Sequence, residues 1–268
     1  MEKIAVLGPQ GTFSDSAAKQ YVDTTSKESE IVYYPTIDHV VHAVDTNECN
    51  VGIVPIENTL DGYVQRTLDM LLESDAKICR EITIPVKFSL LLNGDNISDL
   101  KRLYVQFKAS GQCRRYIDTF KSLEVVTTQS NMESYEKIKD FGDAAVVPYH
   151  IALNENELFK VCDITDSDNN VTRFAVISKQ NIEQGEKNTK IPLYIMPQTD
   201  RPGLLSDALK IFAEHNINLV SIISRPQRTT LGHYNFYLEL EVPKDDEKQI
   251  TLALSELAKD FSYKILSI

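Results

Sequence analysis

Val51-Gly52-Ile53-Val54-Pro55 is apolar at every position, a run that suits a strand covered on both faces. Two shorter β-branched and aliphatic runs precede it, residues 3–7, closed by Gly8-Pro9, and residues 31–34. Helical segments fall between and after them. Ser14 is placed to cap a helix through Ala17, Ala18 and Tyr21. Residues 37–44 carry Val40, Val41 and Val44 on one side, and a third helix spans 61–72. Strand and helix alternate, the pattern of a parallel sheet crossed by helices, in which ligands sit beyond the carboxyl ends of the strands.

From Glu81 a long extended run through Leu92 reads as a crossing into a second lobe. Its strands are expected at 103–105, 124–126 and 144–147, alternating with helices at 111–120, 132–139 and 149–153. The chain then returns through Asp168-Asn169-Asn170-Val171-Thr172-Arg173-Phe174 to the apolar Ala175-Val176-Ile177. Two α/β lobes with two crossings make a cleft that a small molecule can occupy. Residues 180–190, rich in Glu, Gln, Lys and Asn, read as a linker. Beyond it, strands at 191–196, 217–221, 234–242 and 263–266, with helices opening at Arg201-Pro202-Gly203-Leu204-Leu205 and spanning 248–259, give βαββαβ, the split βαβ of ferredoxin-like domains. So small a sheet leaves one face open, and pairing with a second copy is expected to cover its apolar edges.

Three polar turns fall at strand ends or mouths: Gly11-Thr12, Glu57-Asn58-Thr59 and Thr172-Arg173. The glycines before the Ser14 helix expose backbone N–H groups, although the Gly-Lys-Ser/Thr ending of a nucleotide loop is missing. At the third turn, the Thr172 hydroxyl can be aimed at a leaving group while the Arg173 guanidinium grips a carboxylate. The plainer alternative is a turn over 168–170 that starts a strand.

Composition narrows the partners. With 28 Lys+Arg against 39 Asp+Glu, the net charge of -11 argues against nucleic acid and anionic membrane, but leaves room for a locally basic pocket. No apolar run reaches transmembrane length, and the N-terminus reads as a strand rather than a signal peptide. Cys49, Cys79, Cys113 and Cys162 are scattered and read as reduced thiols of a cytoplasmic protein. His39 and His42 share a helix face, but no Cys or further His joins them, so no metal site is expected.

Gly8-Pro9-Gln10-Gly11-Thr12-Phe13-Ser14, Val54-Pro55-Ile56-Glu57-Asn58-Thr59 and Asn170-Val171-Thr172-Arg173-Phe174 resemble, in order, the three signatures of prephenate dehydratases. Pro202-Gly203-Leu204-Leu205, Asn216-Ile217-Asn218-Leu219 and Ser224-Arg225-Pro226 resemble an ACT domain. The resemblance covers essentially the whole chain. It implies a periplasmic-binding-protein-like, two-lobed catalytic region over 1–180, with lobe one at 1–80 plus 160–180 and lobe two at 81–159. A linker at 181–190 and a ferredoxin-like ACT regulatory domain at 191–268 would follow.

The implied substrate is prephenate, which loses carbon dioxide and hydroxide to give phenylpyruvate in phenylalanine biosynthesis, with no metal or organic cofactor. By the same resemblance Thr172 helps the hydroxide leave, and Arg173 binds or orients a carboxylate. Asn58 and Gln112 complete the catalytic set, with Thr12, Ser14, Glu57, Thr59, Thr83 and Phe174 around the substrate. Glu57 and Arg173 each have a structural alternative, as a strand-end brace and a lobe-bracing ion pair. L-phenylalanine is the implied effector, at Gly203, Leu204, Leu205, Asn216, Asn218, Ser224, Arg225 and Pro226, in a homodimer or homotetramer. Two positions depart from the family pattern. Val105 stands where a Ser is usual, removing one expected polar contact, though Lys108 could add a cation nearby. Ile223 replaces the Glu of Glu-Ser-Arg-Pro, which puts the response to phenylalanine in question. Arogenate dehydration and a non-catalytic amino-acid sensor are the competing functions.

Overall fold

The computed structural model of the chain describes residues 1–25, 28–180, 182, 190–229, 231–242 and 247–267. Strands and helices alternate from the start: β1 (Glu2–Leu7), α1 (Phe13–Thr24), β2 (Ser29–Tyr34), α2 (Ile37–Asp45) and β3 (Val51–Asn58). A two-residue β4 (Gly62–Tyr63), α3 (Gln65–Glu73) and β5 (Lys77–Pro85) complete this stretch. The sheet has the order β2-β1-β3-β11-β5, where β11 (Val171–Ser178) is the returning strand. β1 pairs in parallel with β2 and β3, while β11 runs antiparallel to both β3 and β5.

The apolar β3 is covered on both faces, as its composition requires. Val54 and Ile56 join Val40, Val41 and Val44 of α2 on one side, while Val51 and Ile53 meet Ala17, Ala18 and Tyr21 of α1 on the other. Thr12, not Ser14, caps α1: its Oγ1 accepts from the Asp15 backbone N–H at 3.3 Å, and Ser14 is buried inside the helix. The first turn follows Gly11, whose φ of +87° is open to glycine and strained for other residues.

The expected single extended run is two strands in two sheets. β5 belongs to the first lobe, and β6 (Phe88–Leu92) opens the second, so the crossing lies at Val86-Lys87 rather than at Glu81. The second lobe continues through β7 (Arg102–Gln106), α4 (Phe107–Gln112), α5 (Arg114–Ile117), β8 (Glu124–Thr128), α6 (Asn131–Glu136), β9 (Asp143–Pro148), α7 (Tyr149–Asn154) and β10 (Phe159–Val161). Its sheet has the order β10-β6-β9-β7-β8, so residues 160 and 161, expected in lobe one, belong here together with Phe159. The helix expected at 111–120 is instead the pair α4 and α5, broken at Cys113.

Of the expected linker at 181–190, only Ile182 and Lys190 fall within the described residues. The C-terminal domain is β12 (Lys190–Pro197), α8 (Leu204–Glu214), β13 (Asn218–Pro226), β14 (Tyr234–Glu241), α9 (Glu247–Leu257) and β15 (Phe261–Ile265). Its antiparallel sheet has the order β13-β14-β12-β15, the ferredoxin-like arrangement. One face packs against α8 and α9 through Leu193, Phe212, Leu238 and Leu254. The other face is not open. Tyr194, Tyr237 and Leu266 join the α2–α3 core of lobe one, so the chain covers this face with its own first lobe. Ile78 N donates to Leu266 O at 2.6 Å, and Lys264 Nζ donates to Leu72 O at 2.8 Å, which adds polar contacts to the seam. No helix among the described residues is long and apolar enough to cross a membrane.

Val105 is fully buried in the core of lobe two, so its side chain is directed into packing and not into a polar site. Val105→Ser is therefore expected to lower unfolding stability by about 1–3 kcal/mol through a buried, unpartnered hydroxyl. Turnover by the folded protein should stay the same. Urea titration alongside a rate assay checks both parts, and a gain in rate would restore a pocket role to this position.

Candidate active site

The last rung between β3 and β11 pairs Thr172 with Asn58, and the rung before it pairs Arg173 with Glu57. Strand alternation then sends neighbours to opposite faces. On β5 the partners of Thr172 and Phe174 are Ile84 and Ile82, which lie in the α1-side core, so Thr172 stands on the α1 side. Arg173 stands on the side of the C-terminal domain.

On the α1 side the polar groups form a directed chain. Asn58 Oδ1 accepts from the backbone N–H groups of Leu60 and Asp61, both at 3.0 Å, which orients its amide. The Asn58 NH2 is thereby turned toward Thr172 Oγ1 at 3.0 Å, Asn170 Oδ1 at 2.9 Å and Val171 O at 3.2 Å. Asn170 Nδ2 in turn donates to Gln112 Oε1 at 3.0 Å. Gln112 ends α4, so the chain of amides crosses from lobe one to lobe two. Thr172 Oγ1 is an acceptor in this chain, which leaves its O–H proton to be donated elsewhere.

Other contacts join the lobes. Gly11 O lies 3.1 Å from His150 Nε2, and the Phe13 ring meets Phe88 edge-on at 5.4 Å. A Cβ on Gly11 would come within 2.7 Å of Met132 Sδ, so this loop sits directly against lobe two. Burial holds the His150 imidazole below its ordinary value, opposed by the bond to Gly11. Lys108 Nζ pairs with Asp61 Oδ2 at 3.0 Å across the lobes, and both are well exposed, which limits the pair to about 1 kcal/mol or less.

The expectation that Thr172 and Arg173 work side by side on a substrate is corrected by the sheet. Arg173 Nη1 donates to Glu81 Oε1 at 2.8 Å, and Nη2 to Glu57 Oε2 at 2.9 Å and Glu239 Oε1 at 2.5 Å. Tyr63 Oη lies 3.3 Å from Nη2, with the Tyr63 ring facing the guanidinium. Burial works against the charge on Arg173, but the carboxylates of Glu239 and Glu81 outweigh it and hold the group protonated above its usual range. Burial pushes the Glu81 carboxyl up, and Arg173 pulls it back only in part. Glu57 is thus a partner of Arg173: the contact is a side-chain ion pair, the kind of alternative set out for Arg173, and not the backbone brace set out for Glu57.

The remaining expected substrate contacts divide. Thr12 caps α1 on the Thr172 side of the sheet. The Thr59 hydroxyl is spent on the chain itself, donating to Asn169 O at 2.8 Å and accepting from Val171 N–H at 2.9 Å. Phe174 is 2% exposed, a core residue with no substrate face. Thr83 pairs with Arg173 on β5 and so lies on the opposite face from Thr172. The sequence reading missed Asn170 as a working side chain. Its position two residues before Thr172, in a run rich in polar amides, was the available signal.

In the C-terminal domain, a pocket of about 360 Å³ lies between the start of α8 and the segment leading into β14. Gly203, Leu204 and Leu205 line it, together with Arg201, Gln227 and Tyr234 among others. Gly203 has a φ of +84°, a position that favours glycine, where the chain turns into α8. Asn216, Asn218, Ser224, Arg225 and Pro226 do not line this pocket. Asn216 takes a positive φ just after α8, and Asn218 Nδ2 donates to Glu241 Oε2. Arg225 grips Asp69 of α3 with Nε and Nη2 at 2.7 and 2.8 Å, and Arg228 joins at 2.6 Å. Burial opposes the charge on Asp69, but the arginines hold its carboxyl below the usual range. Ile223 packs against the lobe-one core, so it too belongs to the seam between domains.

Comparison with known proteins adds a family to this geometry. The prephenate dehydratase family profile matches residues 4–182, and the ACT domain profile matches 198–258. The bifunctional chorismate mutase/prephenate dehydratase of Aquifex aeolicus is 36% identical over 260 residues, covering 95% of this chain and 69% of that protein. The crystal structure of the prephenate dehydratase from Staphylococcus aureus superposes with a TM-score of 0.85 at 32% identity, covering 100% of this chain and 99% of that one. The prephenate dehydratase from Arthrobacter aurescens, in complex with L-Phe, superposes with a TM-score of 0.85 at 28% identity, covering 99% of this chain and 89% of that one.

Proposed function

Because the chain belongs to the prephenate dehydratase family, we propose that it converts prephenate to phenylpyruvate, with loss of carbon dioxide and hydroxide, in L-phenylalanine biosynthesis. The observation that carries the mechanism is the Thr172 oxygen accepting from Asn58, which leaves the hydroxyl proton available for donation. Aromatisation drives the reaction, so the protein's task is to stabilise the departing hydroxide. A pre-aligned O–H donor meets that need as general acid or strong hydrogen bond. Asn58, Asn170 and Gln112 hold the donor in place with neutral groups and tie it to the second lobe. Lys108, four residues before Gln112 and so on its face of α4, supplies a cation for a substrate carboxylate when it exchanges Asp61.

L-phenylalanine is the proposed effector, in the pocket lined by Gly203, Leu204 and Leu205, a reading supported by the L-Phe complex of the Arthrobacter enzyme. Arg228, next to the pocket residue Gln227, bonds Asp69 of the catalytic region and gives an effector signal a direct contact to follow. Exposed Val220 and Ile222 on the edge strand β13 support a homodimer or larger homo-oligomer. Four free cysteines support a cytoplasmic setting.

Purified protein is incubated with prephenate and, separately, with arogenate, in the presence and absence of L-phenylalanine. Phenylpyruvate from prephenate, suppressed by L-phenylalanine, is the expected result. Phenylalanine formed from arogenate alone would reassign the substrate, and no product from either would leave a ligand-binding protein.

A further inference from the structure

Glu239 projects from β14 of the C-terminal domain into the seam with lobe one and is 1% exposed. Its Oε1 meets Arg173 Nη2 at 2.5 Å and the Tyr237 hydroxyl at 2.6 Å, while its Oε2 has no hydrogen-bond partner among the described residues. A buried carboxylate with one oxygen unfilled is expensive, and docking alone gives it little reason to be there. The seam is already fastened by Asp69 with Arg225 and Arg228, and by Lys264 and Leu266 with the backbone. None of those contacts touches β11. Glu239 does, and at one place.

That place is the rung adjoining the site. Arg173 follows Thr172, Glu57 precedes Asn58, and the two pairs are consecutive rungs of the β3–β11 ladder. The register slips immediately after Arg173, a bulge of the kind that re-aims side chains. On one face of the sheet Arg173 ties Glu57, Glu81 and Glu239 together. On the other, Thr172 Oγ1 and Asn58 Nδ2 must keep their 3.0 Å separation.

We propose that Glu239 is a positioning residue for the chemistry at Thr172, acting through Arg173, so that the C-terminal domain is part of the scaffold of the active site as well as its regulator. The inference rests on the function proposed above. Glu239 sets where the Arg173 rung sits, and that rung sets the direction of the Thr172 hydroxyl. A small misplacement of a reacting group is enough to lower a rate tenfold or more.

The test compares steady-state constants and thermal midpoints of the full chain with Glu239→Gln, Glu239→Asp and Lys264→Met. The last removes a seam contact that does not reach β11. Glu239→Gln is expected to lower kcat about tenfold with KM within about twofold, Glu239→Asp to recover part of that loss, and Lys264→Met to leave kcat unchanged. Equal kcat in Glu239→Gln and the unsubstituted chain, or an equal fall in Lys264→Met, would overturn the proposal. Should Glu239→Gln not fold, Glu239→Asp is judged by the same pair of constants. Absence of turnover in the unsubstituted chain removes the functional reading and this one with it. Normal turnover with an unaffected Glu239→Gln removes this one alone.

Discussion

Thr172→Ala is expected to lower kcat by about 100- to 10,000-fold while KM changes little, because a proton donor to the leaving hydroxide acts in the transition state and not in binding. Thr172→Ser, which keeps a hydroxyl on the same strand, should retain most of the rate. The Asn58 amide is locked by the Leu60 and Asp61 N–H groups, so the serine hydroxyl meets the same donor. Steady-state kinetics on both variants decides the matter. A near-normal kcat in Thr172→Ala would remove Thr172 from the mechanism, and equal losses in the two variants would point to packing of the methyl group instead.

The second large effect is on stability. Arg173→Ala leaves Glu57, Glu81 and Glu239 facing one another without the guanidinium that they share, and the unfolding free energy should fall by about 3–5 kcal/mol. The loss has a direction in pH. Burial already raises the Glu81 carboxyl above its ordinary value of 4.5, and Arg173 is the main influence holding it down. A raised carboxyl contributes stability below its unfolded value and loses it as pH rises through the folded one. Removing Arg173 raises Glu81 further, so the deficit of the variant should grow as pH climbs above 4.5. Urea unfolding of both proteins at acidic and neutral pH measures this, and a deficit that is flat with pH would show that the lost packing of Arg173, not the charge, is responsible.

Much of this arrangement was legible in the residues. The apolar β3 requires cover on both faces, and the helices carrying Val40, Val41, Val44, Ala17 and Ala18 supply it. The βαββαβ of the C-terminal domain was readable from turn chemistry and spacing. What stayed hidden were contacts between residues remote in sequence. Strand alternation alone separates Thr172 from Arg173, but Glu239, 66 residues later, is what occupies the guanidinium, and no local pattern announces it. The break between β5 and β6 was invisible because Pro85-Val86-Lys87 interrupts hydrophobicity too briefly, although it moves the chain from one sheet to another. By sequence Val105 reads as a lost polar contact; its burial places it in the lobe-two core, where its side chain serves packing. Thr59 and Asn170 exchanged roles for a similar reason: which amide or hydroxyl is spent on the backbone depends on the three-dimensional turn.

The hydrogen bond from Asn58 to Thr172 joins positions 114 residues apart. During synthesis β3 therefore emerges long before the strand that completes its sheet, and the whole second lobe is made in the interval. Until β11 inserts, the facing edges of β3 and β5 are both unpaired, and such edges recruit other chains. This interval is where a slowed ribosome or an excess of nascent chains should cause aggregation, and a chaperone that shields strand edges should relieve it.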